Sequence, residues 1–165
     1  MAEPATPSQT VGPFFGFALP FAGQERAVDP GAPGVVRIEG RLLDGAGEPV
    51  PDGLLEVWQG EQLARCGTDP EGAFHVVVRK PEPAPGPDGR PQAPHLNVTV
   101  FARGLLRHLL TRVYFPDEAA ANAADPVLQL VEPARRAALV ARDEGGALRF
   151  DVRLQGEGET VFFAV

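Results

Sequence analysis

Few side chains in this sequence are equipped for acid–base, nucleophilic or metal chemistry. Histidine occurs at positions 75, 95 and 108, and there is one tyrosine (Tyr114), one cysteine (Cys66) and one serine (Ser8). Ser8 lies near the N-terminus with no nucleophile-elbow sequence around it, so a Ser/His/Asp arrangement is weakly supported. A lone cysteine forms neither an internal disulfide nor a Cys-based zinc site, and Cys66 reads as a small buried apolar residue. No glycine-rich loop follows a strand and opens a helix, so no nucleotide cradle is indicated. The most suggestive pair is His95 and Asn97. Residues at i and i+2 of a strand point the same way, which makes His-x-His a natural chelate. Here Asn97 takes the second place, and its neutral amide is a poor ligand for a transition metal. His95 is therefore read as a partly buried histidine at the mouth of a strand. His75 and His108 have no partner at metal-ligand spacing.

The elements that must position these residues read as β-structure. His95-Leu96-Asn97-Val98-Thr99-Val100-Phe101-Ala102-Arg103 is the clearest alternation in the chain, with Leu96, Val98, Val100 and Ala102 on one face. Val36, Ile38, Gly40 and Leu42 share one face of a first strand, and Asp44 to Gly47 reads as a tight turn. Leu54 to Trp58 is a second strand, Ala73 to Val78 a third, and Leu109 to Phe115, Leu148 to Leu154 and Thr160 to Val165 are three more. Residues 81–94 hold six prolines and read as a long loop. Helical pattern is confined to Glu118–Ala124 and Pro133–Arg142. The expectation is an all-β fold, a β-sandwich with short helices.

Composition narrows the class further. A chain of 165 residues is about one domain long, and more than a quarter of it is Leu, Ile, Val or Phe, enough for one sizeable core. With 19 glycines and 18 prolines, long helices have little room. The net charge of −7 and the absence of any Lys/Arg run argue against nucleic acid as a partner. No segment approaches the length of a membrane span, and Met1-Ala2-Glu3-Pro4 does not open a signal peptide, so a soluble cytoplasmic protein is expected. Residues 1–34 lack periodicity and read as an extended arm ahead of a sandwich domain at 35–165. The arm carries Phe14, Phe15, Phe17 and Phe21, too many aromatics for a disordered tail, which implies that it packs on its own domain or on a partner.

Four segments, in order along nearly the whole chain, resemble one family. They are the arm Thr6-Pro7-Ser8-Gln9-Thr10-Val11-Gly12-Pro13-Phe14, the turn and strand Asp44 to Gln59, the stretch Ala93 to Gly104, and the ending Arg149 to Phe163. Each is weak alone. Together they are similar to the intradiol ring-cleaving dioxygenases, and within them to the non-iron α chains of the two-chain, protocatechuate-cleaving branch. The resemblance implies a prealbumin-like sandwich and a holoenzyme that inserts both atoms of O₂ across the bond between two hydroxylated ring carbons, with no external reductant. In that family the homologous catalytic β chain binds one non-haem Fe(III) through two tyrosinates and two histidines, and the ferric ion activates the bound catecholate. One tyrosine cannot supply two tyrosinates, and Tyr114 lies in Arg112-Val113-Tyr114-Phe115-Pro116, which matches no ligand position. The tyrosine expected just before the histidine-bearing strand is replaced by the loop Lys80–Pro94. His95 aligns with the first family histidine and Asn97 with the second, as vestigial ligand positions. The resemblance thus implies a chain that holds no iron and no cofactor of its own.

By the same resemblance, αβ protomers assemble into larger oligomers with the active site near the interface, and the α arm and an α arginine wall the substrate cavity. The matching positions are Thr10, Gly12, Pro13 and Arg103. Gly12 and Pro13 offer close backbone approach and a fixed bend, and Arg103 lowers the cost of bringing an anionic substrate into a closed cavity. One departure is the short stretch from Trp58 to Asp69, where related chains carry a longer insertion. The competing reading is a transthyretin-like β-sandwich that binds without catalysing, because Asp44–Gln59 also suits such domains and fold alone does not separate the two.

Overall fold

The computed structural model describes residues 5–12, 14–86 and 89–164. After a single helical turn, α1 (Phe15–Ala18), the chain forms β1 (Val35–Leu43), β2 (Leu54–Gln59), β3 (Gln62–Gly67) and β4 (Ala73–Arg79). A two-residue ladder, β5 (Ala84–Pro85) with β6 (Pro91–Gln92), interrupts the proline-rich loop before β7 (His95–Phe101) and β8 (Leu109–Tyr114). A 3₁₀ turn at Pro116–Glu118 leads into α2 (Ala119–Ala124), and further 3₁₀ turns occupy Leu128–Leu130 and Pro133–Leu139. The short strands β9 (Arg142–Asp143), β10 (Leu148–Arg149) and β11 (Val152–Arg153) complete the order.

Two sheets carry the architecture. In one, β4 runs antiparallel to one edge of β1, while β10 and β11 run parallel to the other and β9 lies outside β10. The second has the order β3-β2-β7-β8, antiparallel throughout. Inward residues of both sheets (Ile38, Leu42, Phe74 and Val76 from one, Leu55, Val57, Val98 and Val100 from the other) form one buried core. This is the packing of a two-layer β-sandwich, the all-β fold expected from the alternation. Among the described residues no helix is long and apolar enough to cross a membrane.

Several elements differ from their sequence reading. The expected strand Leu148–Leu154 is broken at Phe150–Asp151, where it crosses Gly40 of β1. A Cβ at position 40 would collide with the Phe150 carbonyl, so only glycine allows this close approach. Thr160 onward is no strand among the described residues; Phe163 makes a single bridge to Leu110. The Pro133 segment is 3₁₀ rather than α-helical. The stretch after Trp58 contains β3, a strand the sequence did not suggest, joined to β2 by a two-residue turn with Gly60 at φ +58°.

The arm meets the domain at Thr10, which accepts the Gly104 N–H, and again along its second half. Residues 24–27 hydrogen-bond to the edges of both sheets: the Arg65 N–H donates to Gln24, and Val77 exchanges bonds with Glu25 and Ala27. Phe14 and Phe17, at the start of the arm's helical turn, stand 76% and 85% exposed.

Candidate functional site

The outer face of β7 is covered at its His95 end. Helix α2, the 3₁₀ turns and the C-terminal segment cover it through a second apolar cluster of Ala93, Tyr114, Leu128, Val131 and Leu139, flanked by Val161 and Phe163. His95, the first residue of β7, is consequently 2% exposed, fully rather than partly buried at the mouth of its strand. This burial decides its chemistry. The Nδ1–H donates to the Ala93 carbonyl at 2.8 Å, which leaves Nε2 to accept from the Gln59 amide at 3.4 Å. Gln59 in turn accepts from the Asn97 amide, Nδ2 to Oε1 3.2 Å. The chain Asn97→Gln59→His95→Ala93 therefore uses both imidazole nitrogens with the ring neutral. Desolvation lowers the His95 pKa, only partly offset by the bond to Ala93, and the nearby Arg112 charge acts in the same direction as burial.

Tyr114 is the register partner of His95 across β7 and β8, with ring centroids 5.6 Å apart. Its hydroxyl donates to Asp125 Oδ1 at 3.1 Å and lies 3.4 Å from Arg112 Nη1. Burial pushes the phenol up to about 12, a shift that the Arg112 hydrogen bond reduces without reversing. Asp125, wholly buried, also accepts the backbone N–H groups of Val127 and Leu128 at Oδ1 (2.9 and 2.7 Å) and of Ala93 at Oδ2 (2.8 Å). Arg112 donates to Gln92 Oε1 at 2.6 Å. Around His95 and Asn97 there is thus a hydrogen-bonded network whose members are already engaged.

This donor set does not fit a ferric ion. The histidine has no free nitrogen, the tyrosine is strongly held protonated, and a guanidinium stands where a second cation would be repelled. No group of three or more His, Cys, Asp or Glu side chains among the described residues is arranged to hold a metal. Gln59, Gln92, Arg112 and Asp125 were not singled out by sequence reasoning. Only Asp125 carried a local signal, an Asp-Pro pair that favours turn initiation.

The other candidate residues gather at the opposite end of β7, eight positions from His95, a distance of roughly 26 Å along a strand. Gly104 turns the chain there with φ +86°, and its N–H donates to Thr10 Oγ1 at 2.8 Å, which ties the arm to the strand end. Arg103 is ion-paired with Asp52, and its side chain is 65% exposed. Gly12 is exposed, and a Cβ on it would touch nothing, so nothing within this chain requires its small size. Pro13 lies outside the described residues. Val11, Phe101, Leu106 and His108 line a recess of about 210 Å³ beside this corner. The structure brings together Thr10 and Arg103, and separates both from His95 and Asn97.

Comparison with known proteins follows the same line. The dioxygenase domain of a dioxygenase–carbohydrate-binding protein fusion from Streptomyces sp. SirexAA-E superposes with a TM-score of 0.62 at 25% identity, over 80% of this chain and 87% of that one. An intradiol ring-cleavage dioxygenase from Tetranychus urticae gives 0.54 at 12% identity, over 78% and 83% of the two chains. The fold is thus that of the intradiol ring-cleaving dioxygenases. In sequence, the chain is 43% identical to the protocatechuate 3,4-dioxygenase alpha chain of Pseudomonas putida, over 97% of this chain and 96% of that one. It is 31% identical to the beta chain of the Burkholderia cepacia enzyme, over 74% of this chain and 65% of that one. No protein-family model matches. The chain belongs to the family of protocatechuate 3,4-dioxygenase alpha chains.

Proposed function

We propose that this chain is the α subunit of an intradiol dioxygenase that converts protocatechuate and O₂ to 3-carboxy-cis,cis-muconate. Its iron is held by a homologous β subunit in αβ protomers of a larger oligomer. The observation that carries this reading is the 43% identity to an alpha chain across 97% of the sequence. The engaged hydrogen bonds around His95, Asn97 and Tyr114 support the division of labour, because a chain that retained the metal would need those atoms free. The reaction breaks the bond between the two hydroxylated ring carbons and places one oxygen atom of O₂ on each. The ferric ion of the β subunit supplies the activation of the catecholate.

This chain's contribution is the wall of the pocket, through Thr10, Gly12, Pro13 and Arg103. Protocatechuate carries a ring carboxylate, and the Arg103 guanidinium offers a planar fork for such an anion. In the free chain that fork is taken by Asp52. The Thr10–Gly104 bond fixes the arm against the same strand end, so that arm and arginine face a partner as one surface. Residues 1–34 act as the docking arm and 35–165 as the sandwich domain, in the cytoplasm. Co-expression with a β-chain homologue tests the reading: a complex that cleaves protocatechuate supports it, and a chain that joins no β homologue and confers no activity rejects it.

A further inference from the structure

A second recess lies away from β7, on the outer face of the broken strand. It measures about 290 Å³ and is bounded by the Pro133–Leu139 turn on one side and by β9, β10 and β11 on the other. Strand periodicity puts charge there. Phe150 and Val152 turn into the core, so Arg149, Asp151 and Arg153 all point outward, and Arg142 joins them as the register partner of Arg149 on β9. Ala137, Ala138 and Gly158 leave the space between them open.

The recess is therefore lined by three arginines and one aspartate. Asp151 is largely committed to one of the three: Oδ1 accepts Arg149 at 2.8 Å and 2.7 Å, and also the Arg41 N–H at 2.9 Å. Arg142 reaches only Oδ2, at 3.4 Å. Arg153 makes no ion pair among the described residues; its stem lies over Gly158, where a Cβ would sit 3.5 Å from Cδ, and its Nη1 lies beside the Asp44–Glu48 turn, 3.7 Å from where a Cβ on Gly47 would sit. Thr160 Oγ1, at the back of the recess, accepts the Arg153 N–H at 2.9 Å. The one other acid placed beside this region by an ion pair, Glu159, is taken by Arg135 on the neighbouring side. Burial raises the Asp151 pKa, but the Arg149 hydrogen bonds, the Arg41 N–H and the arginine charges hold it below its ordinary value. The recess accordingly keeps an excess of two positive charges in a chain whose net charge is −7.

We propose that this recess binds a small polyvalent anion, one that presents carboxylate or phosphate oxygens to the forks of Arg142 and Arg153 while Arg149 is held in place by Asp151. Guanidinium forks match both oxyanions bidentately, and a shallow concave wall raises their local field. The inference stands independently of the proposed ring cleavage and rests on residues some distance in sequence from Thr10 and Arg103.

The test is isothermal titration of the full chain with citrate and, separately, with inorganic phosphate, at constant ionic strength set with potassium chloride. Saturable binding of either is expected, and which one binds identifies carboxylate or phosphate as the preferred chemistry. Arg153→Gln removes no ion pair and should weaken binding by roughly tenfold or more, as for loss of a charge-assisted bond. Arg142→Gln serves as the second variant should the first disturb folding. Arg37→Gln, on the outer face of β1 and paired with Glu39, should change affinity by less than about twofold, as expected for an exposed pair. Absence of saturable binding, or equal binding by the Arg153, Arg142 and Arg37 variants, overturns the proposal.

Discussion

Asp125→Asn is the sharpest perturbation of the buried network around His95 and Tyr114. The carboxylate accepts four donors: the Tyr114 hydroxyl and the N–H groups of Val127 and Leu128 on Oδ1, and the Ala93 N–H on Oδ2. An asparagine oriented with its oxygen at Oδ1 keeps three of them and turns an NH₂ toward the Ala93 N–H. One buried donor is left facing another, at a cost of about 1–3 kcal/mol. Asp125→Ala strands Ala93 N–H, Leu128 N–H and the Tyr114 hydroxyl together, so its cost is about 3–6 kcal/mol, a large share of a typical domain's stability. Tyr114→Phe removes one bond and leaves Asp125 its backbone donors, at about 1 kcal/mol. Urea unfolding followed by fluorescence of Trp58, the single tryptophan, reads these as midpoint shifts. With a urea slope of about 2–3 kcal/mol/M, Asp125→Asn should lower the midpoint by about 0.3 to 1.5 M. The order expected is Ala worst, then Asn, then Tyr114→Phe. An Asp125→Ala chain as stable as the parent would refute the claim that this carboxylate closes the network.

Three further expectations follow from the same geometry. Alkaline titration of the single tyrosine, followed by ultraviolet absorbance, should show an inflection near 12 in the folded chain and near the ordinary 10.0 in denaturant; equal values would mean that Tyr114 is solvated. Because the folded pKa is the higher one, the unfolded chain loses its proton first and stability should fall as pH rises through that interval. His95 works at the other end: the buried ring resists the proton that the unfolded chain accepts near 6.5, so stability should fall as pH drops below that value. His75 is lowered as well, first by burial and then by Arg37, so His95→Gln should flatten the acid slope of the melting temperature in part, and an unchanged slope would count against the burial argument. In an assembled enzyme, Arg103→Ala should raise the KM for protocatechuate several-fold without disturbing assembly, and unchanged kinetics would remove Arg103 from the pocket.

Legibility in the sequence varied with how local the cause of each feature is. β7 was readable because its inward residues alternate without a break, and β1 and β4 were readable for the same reason. β3 was not, because its largest apolar residue, Leu63, faces outward at 52% exposure while only Ala64 and Cys66 turn inward. The apolar ending at Thr160–Val165 looked like a strand because of its run of apolar residues. Among its described residues only Thr160 is buried, and Val161 and Phe163 pack half-buried against the cluster of Leu128, Val131 and Tyr114 rather than in a ladder. The break at Phe150 depends on Gly40, 110 positions away, and no window around either residue reveals it. At the site, the shortage of tyrosine and histidine was a matter of counting residue types. The hydrogen-bonded network was illegible, since Gln59, Arg112 and Asp125 acquire their roles only when β2, β8 and the segment after α2 converge on His95. The Asp52 pairing of Arg103 was hidden for the same reason.

The most direct test of the account is the iron content of this chain purified alone, set beside that of its complex with a β-chain homologue. The account predicts a colourless, iron-free chain and an iron-containing complex that cleaves protocatechuate. Stoichiometric iron with tyrosinate absorbance in the chain alone would contradict it.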